Sequence, residues 1–187
     1  MADKQLPEEP LKLSRERLEA GADFLDALRK LGLDPEGLLW AYDTSMEEFV
    51  VVLVTSFYDQ VGPLAINRLL FKAYNIAATP KSISPFIVQL HSPNDDVSVF
   101  LADFVRNAKG KILQMRDSGR PERVSSWELG KPIVSHPDFA IRGIGVPGTD
   151  LCLLGDGFYA WKEKPPSPAA RVGLWTNFVR NVEALAA

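Results

Sequence analysis

Six consecutive apolar residues, Phe49 to Val54, four of them valine, constrain this fold more than any other stretch of the chain. An unbroken β-branched run lacks the alternation of a half-solvated strand and suits one covered on both faces, so a layered sheet is expected around it. The run stops at a short polar loop, Thr55, Ser56 and Asp59, before Gly62-Pro63 opens a helix. Ile66, Leu69, Leu70, Ala73 and Ala77 share one face of that helix until Thr79-Pro80 stops it. A second apolar run, Phe86 to Leu90, ends in His91-Ser92-Pro93-Asn94-Asp95. Strand, helix and strand in this order predict a right-handed βαβ crossover. Parallel neighbours would bring both loops to one sheet edge, where open α/β sheets bind their ligands.

The flanking segments complete the expectation. Ser14 is placed to cap a helix with Leu18, Ala22, Leu25 and Leu28 at helical spacing and Gly32 at its end. Asp34-Pro35 is placed to restart one through Leu38, Leu39, Trp40 and Tyr42, which predicts a helical hairpin over residues 13–43. Val97, Phe100, Leu101, Phe104, Val105 and Ala108 follow helical periodicity, and this helix closes a βαβα unit over 49–116. A long connection rich in Gly, Pro and Ser runs from Ser118 to Pro137. The β-rich part, 133–164, predicts antiparallel strands, with Leu151 to Leu154 and Phe158 to Trp161 joined at Gly155-Asp156-Gly157 as a hairpin turn. Ser167-Pro168 opens a last helix over 168–186. The expected class is α/β, or mixed α+β: a layered sheet with a βαβ unit in the first half, an antiparallel hairpin in the second, and helices at both ends. One domain, 13–187, behind a flexible tail, 1–12, accounts for the whole.

A length of 187 residues with 46% hydrophobic and 24% charged content fits one globular domain with a substantial core. Cys152 is the one cysteine, so no intrachain disulfide can form, and its apolar setting between Leu151 and Leu153 marks a buried strand thiol. The first ten residues lack the apolar stretch of a signal peptide, and no run reaches the length of a membrane span. The expected location is cytoplasmic, with no membrane partner. Net charge is −3, which disfavours a surface that tracks nucleic acid. The charge is split: residues 1–48 carry a net −6, and residues 106–123 a net +4.

Near two helix starts, Thr55, Ser56, Asp59, His91, Ser92, Asn94 and Asp95 form a candidate site for a phosphate or carboxylate, because unpaired N–H groups and the positive dipole end attract anions there. Asp59 and His91 are the acid/base candidates. The competing structural reading makes Ser92 a helix cap, with Pro93 in the first turn and Asp95 reaching back to it. The segment Gly143-Ile144-Gly145-Val146-Pro147-Gly148 spells a G-x-G-x-x-G. It fails as a dinucleotide fingerprint, because Pro147 and a strand follow where a helix must begin. Two histidines without ligand spacing supply no metal site, and no cofactor is expected. No nucleophile elbow or phosphate-binding P-loop occurs.

Arg106, Lys109, Lys111, Arg116, Arg120 and Arg123, with Trp127 beside them, could meet phosphates or a protein partner. In the absence of a complete catalytic motif, the reading is a non-catalytic binding or regulatory protein acting through protein contacts, with a partner or with a second copy as a homodimer. The alternatives are an enzyme or sensor for a small anionic ligand around Asp59 and His91, and nucleic-acid binding through Arg106 to Arg123.

Overall fold

The computed structural model describes residues 12–117, 144–162 and 164–186. Helix α1 (Arg15–Lys30) begins where the Ser14 hydroxyl accepts the Arg17 N–H, and it ends at Gly32, whose φ of 92° suits glycine. Strand β1 (Gly37–Asp43) follows and turns back into β2 (Glu48–Val54) as an antiparallel pair in continuous register from Gly37–Val54 to Asp43–Glu48.

The second arm of the expected helical hairpin is therefore a strand. Leu38, Leu39, Trp40 and Ala41 form an unbroken apolar run like that of β2, and β1 is the middle strand of the sheet. Leu38 and Trp40 enter one core, Leu39 and Ala41 the other. A helix would turn only one stripe inward, whereas a central strand buries both faces. Asp34-Pro35 marks the entry to that strand.

After β2 come a short helix α2 (Phe57–Val61) and α3 (Pro63–Asn75), which lead to β3 (Val88–His91). β3 pairs with β2 in parallel, so the first-half βαβ unit is present. Its second strand starts later than Phe86, because Ser84 caps a 3-10 turn over Pro85–Ile87. Helix α4 (Asp96–Asp117) comes next; its N-cap is Asp95, whose Oδ1 accepts the Ser98 N–H at 2.8 Å, and not Ser92.

β4 (Ile144–Gly145) and β5 (Leu151–Trp161) form the antiparallel hairpin of the second half, and α5 (Pro168–Leu185) closes the chain. The hairpin turn lies over 147–150, with Gly148 at φ 75°, and the sheet continues straight through Gly155-Asp156-Gly157. Those residues form a bulge: five steps along β5, from Leu153 to Phe158, oppose two steps of β1, from Ala41 to Leu39. A side chain at Gly157 would meet the Trp40 Cβ at 2.9 Å, so the bulged strand passes this close to Trp40 only because it has none there.

Among the described residues five strands run in the order β3-β2-β1-β5-β4. One face packs on α1, α3 and α5 through Leu28, Leu53, Ile66, Leu70 and Phe178; the other packs on α4 through Val52, Leu101, Val105 and Phe158. The molecule is thus a mixed α/β sandwich with helices at both ends. Among the described residues no helix is long and apolar enough to cross a membrane. Residues 1–11 of the expected tail lie outside the described residues.

Candidate functional site

Parallel pairing places Val54 opposite His91, so β2 and β3 end together at one sheet edge. The Thr55 N–H donates to the His91 carbonyl at 3.0 Å and extends the ladder by one step into the loops. The seven loop residues singled out in the sequence are thereby gathered at one place, and their side chains are largely spent on one another.

Ser56 shows this most clearly. Its N–H and its hydroxyl both donate to the Glu36 carboxylate, at 3.0 and 2.7 Å, and Glu36 is only 5% exposed. The anion held at the start of α2 is the protein's own. Thr55 Oγ1 accepts the Phe57 N–H at 3.4 Å. Sequence reasoning passed over Glu36, whose signal is a carboxylate directly before the apolar run of β1.

Asp59 Oδ2 accepts the Ser92 hydroxyl at 2.9 Å and the Asn94 side-chain amide at 3.0 Å. Ser92 Oγ also accepts the Asn94 N–H at 3.0 Å. His91 Nδ1 lies 2.8 Å from Asp95 Oδ2, while the other oxygen of Asp95 caps α4. The loops are therefore bound to each other by Asp59 and to the helix by Asp95. No hydrogen bond links Asp59 to His91. An open crevice of about 320 Å³ borders this edge, lined by Asp59, Gln60, Pro168, Arg171 and Val172, and His91 is not part of it.

The basic segment is only partly described. Arg106 forms an exposed ion pair with Asp103 at 2.7 Å. Lys109, Lys111 and Arg116 belong to the backbone of α4, whereas Arg120, Arg123 and Trp127 lie outside the described residues. Among the described residues no group of three or more His, Cys, Asp and Glu side chains could hold a metal ion. Cys152 is a buried free thiol, and burial pushes its pKa up, away from the thiolate a nucleophile needs.

A second surface carries no polar motif. Among the described residues β3 is the outer strand of the sheet, with a neighbour on one side only. Beside it, Phe86 is 84% exposed and meets Phe71 edge-on, with ring centroids 4.9 Å apart. Leu64 (63% exposed) and Arg68 precede Phe71 at helical spacing on the same face of α3. From Gln60 to Asn94 the chain has Arg68, Lys72 and Lys81 and no Asp or Glu. Glu183 of α5 pairs with Lys72, and Lys81 lies over the Tyr74 ring.

These features define a mixed α/β sandwich with a largely self-satisfied polar edge and an outer strand flanked by the exposed Phe86 ring and, on α3, by Arg68. Compared with known proteins, the chain matches no family, no curated protein and no solved structure.

Proposed function

We propose that the protein is a non-catalytic binding or regulatory protein that recognises a partner polypeptide at the β3 edge. The observation that carries this is Phe86, a large apolar ring held out at 84% exposure beside a strand whose outer side has no partner among the described residues. Exposed sheet edges accept an added strand through main-chain hydrogen bonds, and adjacent pockets or rings select its side chains. Phe71, Leu64 and Arg68 supply such neighbours. The lack of any acid between Gln60 and Asn94 selects an extended segment with alternating apolar and acidic residues. The polar edge at Asp59 and His91 supports a non-catalytic role, since its donors and acceptors hold the loops together.

Fluorescence anisotropy with a labelled alternating Val-Glu peptide, against a Val-Lys peptide of the same length, tests the proposal. The acidic peptide should bind and the basic one should not. Phe86→Ser should weaken binding by more than about tenfold, as loss of an aromatic anchor does. Equal affinity for both peptides, or binding unchanged by Phe86→Ser, would remove the β3 edge as the site. A concentration-dependent dimer abolished by the same substitution would replace the foreign partner with a second copy.

A further inference from the structure

The crevice between α2 and the first turn of α5 is lined on one side by a carboxylate, Asp59, and on the other by a guanidinium, Arg171, with Pro168 and Val172 as its apolar wall. No ion pair joins the two charges. Asp59 spends Oδ2 on Ser92 and Asn94, and Oδ1 has no hydrogen-bond partner among the described residues. The Arg171 N–H donates to the Ser167 carbonyl at 3.0 Å, but its guanidinium makes no hydrogen bond among the described residues, and its Nε is shielded from solvent without an acceptor. A partly desolvated cation with no counter-charge gains from an incoming anion. Its position adds to this, because the first turn of α5 contains no acidic residue and presents the positive end of an 18-residue helix.

We infer that this crevice binds a small zwitterion, of the class of a free α-amino acid with an apolar side chain. The ligand carboxylate meets Arg171, which offers paired donors in the geometry a carboxylate requires. Its ammonium meets Asp59, and its side chain lies on Pro168 and Val172. An anion alone would face the repulsion of Asp59, and a cation alone that of Arg171, so the pair of charges excludes singly charged ligands. Ser92 and Asn94 act as positioning residues that hold the Asp59 carboxylate. The site is separate from the β3 edge and does not depend on the partner-strand reading.

The experiment is a titration of the full chain with L-leucine, isocaproate and isoamylamine, followed by amide chemical shifts and calorimetry. Leucine should move the amides of residues 59–60 and 169–172, and the two singly charged analogues should bind at least tenfold more weakly. Arg171→Gln, at a half-buried position in the first turn of α5, should abolish leucine binding while leaving the rest of the amide spectrum in place. Asp59→Asn should lose selectivity for leucine over isocaproate. No shift at the crevice with leucine, binding of isocaproate equal to that of leucine, or unchanged binding by Arg171→Gln would each overturn the inference.

Discussion

Gly21 illustrates how much a single missing side chain decides. It sits in the middle of α1, where glycine costs about 1 kcal/mol relative to alanine, yet a Cβ there would meet the Tyr159 ring at 2.4 Å. That ring is fixed, because its hydroxyl donates to the Leu18 carbonyl at 2.9 Å. Gly21→Ala should therefore destabilise by about 1–2 kcal/mol net, with overpacking outweighing the helix gain. A urea midpoint for Gly21→Ala, with Tyr159→Leu as the relieving second change, checks it; if Gly21→Ala were stabilising, the close packing would be wrong. Asp43 carries a different residue-scale consequence. Burial alone would raise its pKa, but hydrogen bonds from the Ser45 hydroxyl, the Met46 N–H, the Gln89 amide and the Ser45 N–H outweigh that and hold the carboxyl below the usual range. The unfolded chain then binds the proton more readily than the folded one. The stabilisation is present above the ordinary carboxylate pKa and lost as pH falls through the lower folded value. Unfolding free energy measured from pH 6 to pH 2 should drop more steeply in the wild type than in Asp43→Asn. Neither residue was legible beforehand, because Gly21 reads as one more small residue in Ala20-Gly21-Ala22 and Asp43 as one of many acids.

Among the elements, those with one periodic signal were legible and those with a long-range cause were not. The period of α3, the Ser14 cap of α1 and the Ser167-Pro168 start of α5 are local facts, and the elements begin where those residues stand. The parallel pairing of β2 and β3 follows from the apolar runs and the helix between them. β1 was missed because five apolar residues after a proline fit a helix or a buried strand equally well; only β2 and β5 on its two sides settle the choice. Gly155-Asp156-Gly157 has turn composition but bulge geometry for the same reason, since Trp40 lies across from it. At the candidate site the gathering of Asp59, Ser92 and Asn94 was legible, whereas Glu36 and Arg171 come from segments distant in sequence. Helix α5 is held by Phe178 and Val182 in the core and by Trp175 edge-on to Phe57, with centroids at 5.3 Å. Asn181 adds a hydrogen bond to the Leu31 carbonyl at 3.1 Å. Phe178→Ala should cost about 3–5 kcal/mol, read as a lower chemical-denaturation midpoint, and a cost below 1 kcal/mol would place α5 outside the cooperative unit.

For the whole molecule, stability should be graded from the centre of the sheet outwards. β1 and β2 have paired neighbours on both sides and helices on both faces, while β3 and β4 are the outer strands among the described residues. Native-state hydrogen exchange should find the slowest amides in Trp40 to Tyr42 and Val50 to Leu53, with β4 and α5 opening first. Faster exchange in β1 than in α5 would contradict this grading. The place of β1 has a further consequence for how the chain is made. One neighbour, β2, follows within a few residues, but the other, β5, is separated from β2 by the rest of the βαβα unit and the residues after it. At about 5–20 residues per second, roughly 5 to 20 s of translation pass before β5 exists. Throughout that interval the growing chain carries an apolar strand with one side open, so slow codons between β3 and β5 would prolong its most aggregation-prone state and lower the yield of folded protein without changing a single residue.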